Sequence, residues 1–409
     1  MTSTGAPSLN KAPLSTTEFV ILIAGLMALN AFAIDLMLPA LDDIAEYYSL
    51  SNANDQQLVV YAYIFGFGAP QLIWGPLSDS FGRRSVLFVS LIGYTLAGIG
   101  CMIAGSFSQL LAMRFIQGVF ASGSRVIAVS IVRDRFEGRG MARIMSLIMT
   151  IFMVVPIMAP SIGQLILYVA PWAWTFGVLS IFSAVMLVWV FVRLPETLVP
   201  ENRRPLSLRG SASAYFDVFK SRTTTGYMLA SGVIFGSLFA FIGSAEQVFT
   251  EVFEIGDSFV LWFAGVALAL SIASFTNSRL VERFGMRKLS QYALCGFITF
   301  AVTLLVLMIT IGHVFAVFFP LFAIMFACFG LIGSNYNALA MEPLGKMAGT
   351  GSAAYGFATT TFSSALGWLI GSQYDGSAIP LIAGFAVLGC VSFAIVAVTE
   401  KGRLFKAGR

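Results

Sequence analysis

Gly75-Pro-Leu-Ser-Asp-Ser-Phe-Gly-Arg-Arg84 lies between two apolar runs, and a related stretch returns as Ser278-Arg-Leu-Val-Glu-Arg-Phe-Gly-Met-Arg287. The offset of 203 residues pairs Leu77 with Leu280, Asp79 with Glu282, Phe81 with Phe284, Gly82 with Gly285 and Arg84 with Arg287. An acid-Gly-Arg turn repeated at this distance predicts two similar halves, each carrying the turn at its second inter-helix connection. Internal repeats of this kind are typical of secondary transporters.

Composition says what surrounds the turn. Of 409 residues, 58% are hydrophobic and 11% charged, with a mean hydropathy of +0.86. Soluble domains carry about 25% charged residues, so this much apolar surface requires a lipid bilayer as partner. Twelve spans of about 20 residues are expected, the length that a ~30 Å hydrocarbon core demands. They run 18–41, 56–77, 84–105, 108–132, 142–168 and 173–194, then 223–248, 258–279, 288–310, 314–338, 350–371 and 379–399. The apolar runs are too long for strands and show no period of two. The expected fold is therefore all-α and membrane-embedded. Its expected parts are an N-terminal tail 1–17, a six-helix bundle 18–194, a linker 195–222, a second bundle 223–399 and a tail 400–409.

Charge placement orients this map. All of the 24 basic residues except Arg114 and Arg125 fall in the termini and in alternate connections, on one side of the membrane. The positive-inside rule then predicts that both termini are cytoplasmic. The net charge of +4 follows from that bias and implies no nucleic-acid partner. Residues 1–17 carry one lysine and the first span lacks a small-residue cleavage site, so no signal peptide is read. The cysteines Cys101, Cys295, Cys328 and Cys390 lie in apolar runs and have neither a disulfide framework nor metal spacing. No cofactor or metal is expected, and no catalytic residue. A phosphate-binding Gly-x-x-x-x-Gly-Lys-Ser/Thr loop is absent, which argues against primary transport.

Polar residues inside the spans are the candidate site. Asp35 lies about 17 residues, or about 25 Å of helix, into the first span. A carboxylate at that depth is costly and therefore a functional candidate; the alternative is an interfacial acid on the face of Asp42 and Asp43. In the fourth span Arg114 and Arg125 are eleven residues apart, about three turns, and share a face. Two guanidinium groups on one face must look at a cavity or at carboxylates. Arg114 is read either as a proton-coupling group or as a structural ion-pair partner of Asp35. Arg125 is read either as a cavity residue or as one that snorkels toward the cytoplasm. Glu246 is a second intramembrane carboxylate or an outer-loop acid beside Glu251 and Glu254. Asn30, Tyr61, Gln71, Gln117, Asn335 and Tyr355 are candidate cavity groups, and packing roles are the alternative for each. In the loop motif, Gly75 and Gly82 are expected to allow close approach and turning. Asp79 is expected to meet Arg83, Arg84 or a helix N-terminus, for which Gly349-Thr-Gly-Ser352 offers one.

With these residues in view, the chain resembles the major facilitator superfamily, in its bicyclomycin-resistance (Bcr/CflA) branch of twelve-span drug:proton antiporters. The resemblance covers essentially the whole chain. It rests on Ile34-Asp-Leu-Met-Leu-Pro-Ala-Leu41, Gly75–Arg84, Arg114-Phe-Ile-Gln-Gly118, Arg133-Asp134, Pro156 to Gly163, Asn277–Arg287 and Met341-Glu-Pro-Leu-Gly345. It implies two pseudo-symmetric six-helix halves, alternating access around one central cavity, and an inner-membrane location. It implies a cytoplasmic latch built from Gly75, Asp79, Gly82, Arg83, Arg84, Glu282 and Arg287, and a proton-coupling role for Arg114. Arg125 and Glu246-Gln247 depart from the family pattern.

The expected function is proton-coupled antiport of a small molecule, with drugs as the expected class, by a monomer. His313 lies in a short connection, so the proton is expected on Asp35 first and Glu246 second; low-dielectric burial favours a protonated carboxyl. Arg114 would compete with the proton for Asp35. An anionic metabolite or siderophore exporter using Arg125, and a symporter on the same fold, remain open. A non-transporting receptor would need a soluble domain.

Overall fold

The computed structural model describes residues 14–136, 138–203 and 205–406. Among these the chain forms fifteen α-helices and no strand. The first span is α1 (Thr16–Asp35), which passes through a 3-10 turn at Leu38–Ala40 into α2 (Leu41–Tyr47). Ser15 starts it by accepting the Glu18 N–H. The second span is broken: α3 (Leu58–Gly68) and α4 (Gln71–Phe81) meet at 45°. Pro70, at the break, has no N–H to give and its ring crowds the preceding turn.

Helices α5 (Arg83–Met102), α6 (Phe107–Arg135), α7 (Gly138–Val169) and α8 (Ala173–Arg193) complete the first half. The basic connection holds α9 (Leu208–Phe219), whose Tyr215 hydroxyl donates to the Leu72 carbonyl at 2.9 Å. The second half comprises α10 (Arg222–Gln247), α11 (Phe259–Phe284), α12 (Met286–Ile311), α13 (Phe315–Met341), α14 (Ala348–Gly371) and α15 (Ile379–Thr399).

Among the described residues, ten helices are long and apolar enough to cross a membrane, and the bent pair makes an eleventh. The twelfth expected span is α14, whose 24 residues suffice in length. Its Gly, Ser and Thr content lowers its hydropathy. That content is tolerated because the helix faces protein: Ser363 and Ser364 are fully buried and donate to the Gly232 and Thr360 carbonyls. The outward surface is apolar, with Ile103, Val169, Leu261 and Val398 all exposed, as lipid contact requires.

Small residues set the helix spacing. A methyl group on Gly118 would overlap the Tyr63 carbonyl, and one on Gly66 would overlap the Phe115 carbonyl. The two glycines therefore let α3 and α6 approach reciprocally, backbone to backbone. Between halves, α14 packs on α3 and α4, and α11 packs on α7.

Candidate functional site

Asp35 is the last residue of α1, at the point where the helix changes to the 3-10 turn. It is 4% exposed, and no hydrogen bond or ion pair reaches its carboxylate from the described residues. The break is held from α7: Gly163 sits against the Leu36 carbonyl, where any side chain would collide. Pro156 and Pro160 lie within α7 just before that contact.

Arg114 is fully buried, and each of its three guanidinium nitrogens donates to an acceptor. Its Nε donates to the Val59 carbonyl at 3.0 Å, Nη2 to the Ala33 carbonyl at 2.9 Å and Nη1 to Gln117 Oε1 at 2.7 Å. Its guanidinium also lies 4.5 Å from the Tyr63 ring centre. The expected ion pair with Asp35 is absent among the described residues. Arg114 ties α1 to α3 through backbone carbonyls instead, two residues short of the carboxylate.

Arg125 shares the α3-facing side of α6, as the three-turn spacing predicts. Its guanidinium lies 5.7 Å from the Phe67 ring centre and within electrostatic reach of Tyr355. Unlike Arg114, it is half-buried, and no described residue accepts a hydrogen bond from it. Tyr355 in turn hydrogen-bonds Ser231 at 2.5 Å.

The remaining cavity candidates are mostly spoken for in this conformation. Tyr61 donates across to the Phe239 carbonyl at 3.2 Å, and Gln71 to Thr360 at 3.3 Å. Both bonds join the two halves. Asn335 donates to Asn277 at 2.7 Å and to the Leu331 carbonyl within the second half. Gln117 holds Arg114, while its own amide nitrogen has no partner. Asn30 is half-buried and accepts from the Tyr63 hydroxyl at 2.9 Å. Cavity and packing roles were both open for these; in this conformation Tyr61, Gln71 and Asn335 bond neighbouring helices, and Gln117 bonds Arg114 of its own helix.

Glu246 is 5% exposed, near the end of α10, where the helix runs into a π turn at Val248–Val252. Its Oε2 is buried without a hydrogen bond, and Asp42 of the first half faces it. Beside it, the halves are joined by Gln57, which donates to Gln247 at 2.6 Å and to the Gly371 carbonyl at 3.2 Å. Asn54 donates to the Ser372 and Tyr374 carbonyls, both at 3.1 Å. The end of the bundle away from the basic connections is thus tied shut across the halves.

At the basic end the repeated turn reappears as repeated geometry. Gly82 has φ 91° and ψ 149°, and Gly285 has φ 78° and ψ 153°. Each ends one helix and starts the next, in a conformation open essentially to glycine alone. Gly82 cannot cap α5 with a side chain, so Glu196, arriving from the end of α8, accepts the Arg83 N–H at 3.0 Å and the Arg84 N–H at 3.2 Å. Arg83 pairs with Asp79 and with Asp134, the latter at 2.9 Å. Arg84 donates to the Phe191 carbonyl. In the second half Arg287 pairs with Glu342 at 2.8 Å and Glu400 at 3.1 Å. In the second half the arginine side chain thus lies between acids from the ends of the fourth and sixth spans; in the first half the fourth-span acid Asp134 takes the Arg83 side chain, while Glu196, beyond the sixth span, takes backbone N–H groups.

Of the partners expected for Asp79, the structure selects Arg83 of its own turn; at the helix start near Gly349 it is Arg133 that adjoins the glycine. Other latch expectations are corrected. Glu282 is exposed and bonds no described residue, so its repeat relation to Asp79 is one of sequence alone. Gly75 lies within α4 with open space around it, so it mediates no close approach. Asp134, Glu196 and Glu400 were missed as partners. The spacing of 203 residues, which sets Glu196 opposite Thr399, one residue from Glu400, was the available signal.

These features make one testable contrast. Gly82→Ala combines a strained φ with a collision against Glu196, whereas Gly285→Ala has only the strain, with nothing within 4 Å. Backbone strain of this type costs roughly 1–3 kcal/mol. We expect both variants to unfold at lower temperature in detergent, with Gly82→Ala the worse by several degrees. Equal melting curves would contradict the cap assignment.

A helical bundle of two repeated halves, with a buried carboxylate and a half-buried arginine that have no partner among the described residues and with ties between the halves at one end, is the architecture of a secondary transporter. A family model described as Major Facilitator Superfamily matches residues 23–372, and the chain belongs to that superfamily of membrane transporters. It is 31% identical over 390 residues to a bicyclomycin resistance protein homolog of Haemophilus influenzae, covering 94% of this chain and 96% of the relative. It is 28% identical to the multidrug resistance protein MdtL of Salmonella typhi, over 91% of this chain and 92% of the relative. Among solved structures, the xylose transporter XylE of E. coli, in a partially occluded inward-open conformation, superposes with a TM-score of 0.73 at 13% identity, covering 96% of this chain and 99% of that one. The human organic anion transporter MFSD10 superposes with a TM-score of 0.62 at 17% identity, covering 94% and 100%. The protein is accordingly a multi-pass membrane transporter, not an enzyme.

Proposed function

We propose that the protein exports small molecules in exchange for protons across a bacterial inner membrane, by alternating access. The observation that carries this reading is the Asp35 carboxylate, buried inside the first span with no partner among the described residues. A lone ionised carboxylate at such a place is costly, and a proton removes the charge. Glu246, facing Asp42 at the tied end, is the second proton site in this reading. Two facing carboxyls close together comfortably only when one is neutral. The names of the drug-resistance relatives support export, and drugs as cargo.

The moving bodies are the bundles 18–194 and 223–399, joined through 195–222. One chain supplies both, so a monomer suffices. The basic ends face the cytoplasm in this reading, because all basic residues except Arg114 and Arg125 lie there or in the tails. The Asp79–Arg83–Asp134 and Arg287–Glu342–Glu400 clusters brace the ends of the two bodies during the rocking motion.

The Gln57–Gln247 contact gives the test. In a chain with Cys101, Cys295, Cys328 and Cys390 replaced, Gln57→Cys/Gln247→Cys can be bridged by a short bis-methanethiosulfonate reagent. The bridge holds this end shut. Export of every compound that unbridged vesicles handle is expected to stop, and to return on reduction. Full transport by bridged protein would overturn alternating access through this end.

A further inference from the structure

We infer that Arg125 anchors a carboxylate-binding site between the halves, so that the transported molecule is an anion with an apolar body. The proposal rests on the export reading only for the direction of transport; the site stands independently of it.

The comparison within α6 carries the argument. Arg114 is sealed in, and backbone carbonyls and Gln117 take its donors. Arg125, three turns away, keeps the same charge inside the same bundle, yet receives no acceptor and no carboxylate from the described residues. Its donors are not sealed either: none of its nitrogens is among the buried atoms that lack a partner. A guanidinium presents five donors in a planar fork that matches a carboxylate two to two. Inside a membrane protein such a group is costly unless something binds it. A structural cation would be paired as Arg114 is; a snorkelling one would not face another helix's ring.

The surroundings specify the rest of the ligand. Phe67, from the first half, lies 5.7 Å from the guanidinium and offers a flat apolar face. Tyr355, from the second half, lies within electrostatic reach of the same guanidinium. Its hydroxyl is bonded to Ser231 at 2.5 Å. With Ser231 as donor, the Tyr355 O–H is left to donate to a second carboxylate oxygen. A ligand held by Arg125 and Tyr355 together touches both moving bodies. Its binding energy then bears directly on their relative position, as alternating access requires.

The test uses purified full-length protein in nanodiscs and three probes of one shape: 2-naphthoate, 2-naphthamide and 2-naphthylmethylammonium. Naphthoate is expected to bind best. Arg125→Gln should weaken it about 10-fold or more, the range of a charge-assisted bidentate pair, while Arg125→Lys should retain part of the affinity. Binding of the amide and the ammonium should not change. Equal naphthoate affinity in wild type and Arg125→Gln, no naphthoate binding, or preference for the ammonium overturns the proposal. A second measurement guards against misfolding: ligand-free Arg125→Met should melt at or above the wild-type temperature, because it removes an unpaired charge. A lower melting temperature would mean a structural partner and would overturn the site. Arg125-dependent naphthoate binding without proton-driven transport would sink the export reading and leave this site standing. Proton-driven transport of cations, unchanged in Arg125→Gln, would do the reverse.

Discussion

Arg114→Ala is expected to leave little folded protein in the membrane. The side chain is fully buried and supplies three hydrogen bonds to acceptors on three segments of chain. Truncation removes the donors to the Val59 and Ala33 carbonyls, leaves the Gln117 amide oxygen without its bond, and empties the space beside the Tyr63 ring. Bonds to a charged group are worth roughly 1.5–3 kcal/mol each, and leaving a buried polar group unpaired costs about as much again. These terms do not add in full; removing one partner of a buried charged cluster costs roughly 3–5 kcal/mol, a large share of the ~5–15 kcal/mol that holds a typical domain together. Arg114→Lys should fail nearly as badly, because one ammonium cannot reach three diverging acceptors. Yield of monodisperse protein in detergent and its melting temperature decide the matter. A wild-type melting curve for Arg114→Ala would show that the carbonyl contacts contribute little.

Asp35→Asn should have the opposite character, with the protein folded but uncoupled. The carboxylate makes no bond that an amide would break, and the side chains are nearly isosteric. Each unit of pH gradient is worth about 1.4 kcal/mol per proton, so exchange of one proton across about two units supports roughly 100-fold accumulation. We expect Asp35→Asn to lose all of that accumulation. Exchange of labelled for unlabelled substrate, which needs no net proton movement, should continue. Retention of full gradient-driven accumulation would remove Asp35 from the coupling mechanism. Glu246 would then be the only carboxylate left in the proposal.

The two arginines also show how far sequence reaches. Their spacing placed them on one face of α6, and the structure has both looking toward α3. The pattern could not say what each meets. Arg114's acceptors are mainly backbone carbonyls, which every residue carries and no sequence marks. For that reason the expected pair with Asp35 did not form. The repeat was legible for the same reason that it is structural. Gly82 and Gly285 adopt one conformation, and only glycine adopts it readily. Their acidic neighbours were not legible, because Asp79 and Glu282 are related by register but not by contact.

Helix breaks behaved similarly. Pro70 sits in an apolar run that reads as one span, and the bend became visible only in three dimensions. In α14 the polar composition that lowers its hydropathy is the consequence of its burial against α10 and α3. The helix α9 escaped notice because it lies within the basic connection, where charge and proline suggested a plain linker. The cavity candidates were chosen as polar residues in apolar runs, a criterion that does not separate a ligand-facing amide from one bonding a neighbouring helix. Tyr61, Gln71 and Asn335 proved to be of the second kind here, and Arg125, unlike Arg114, meets no acceptor among the described residues.

The central claim is that substrate movement and proton movement are one process. It is tested most directly in inverted vesicles containing the wild-type protein, with a pH gradient already established and an interior pH indicator. Cationic, neutral and anionic compounds are added in turn. The account predicts that at least one class discharges the gradient, that anions with an apolar body do so most strongly, and that Asp35→Asn vesicles do not respond. A substrate that enters the vesicles at full rate while the gradient stands unchanged would contradict it.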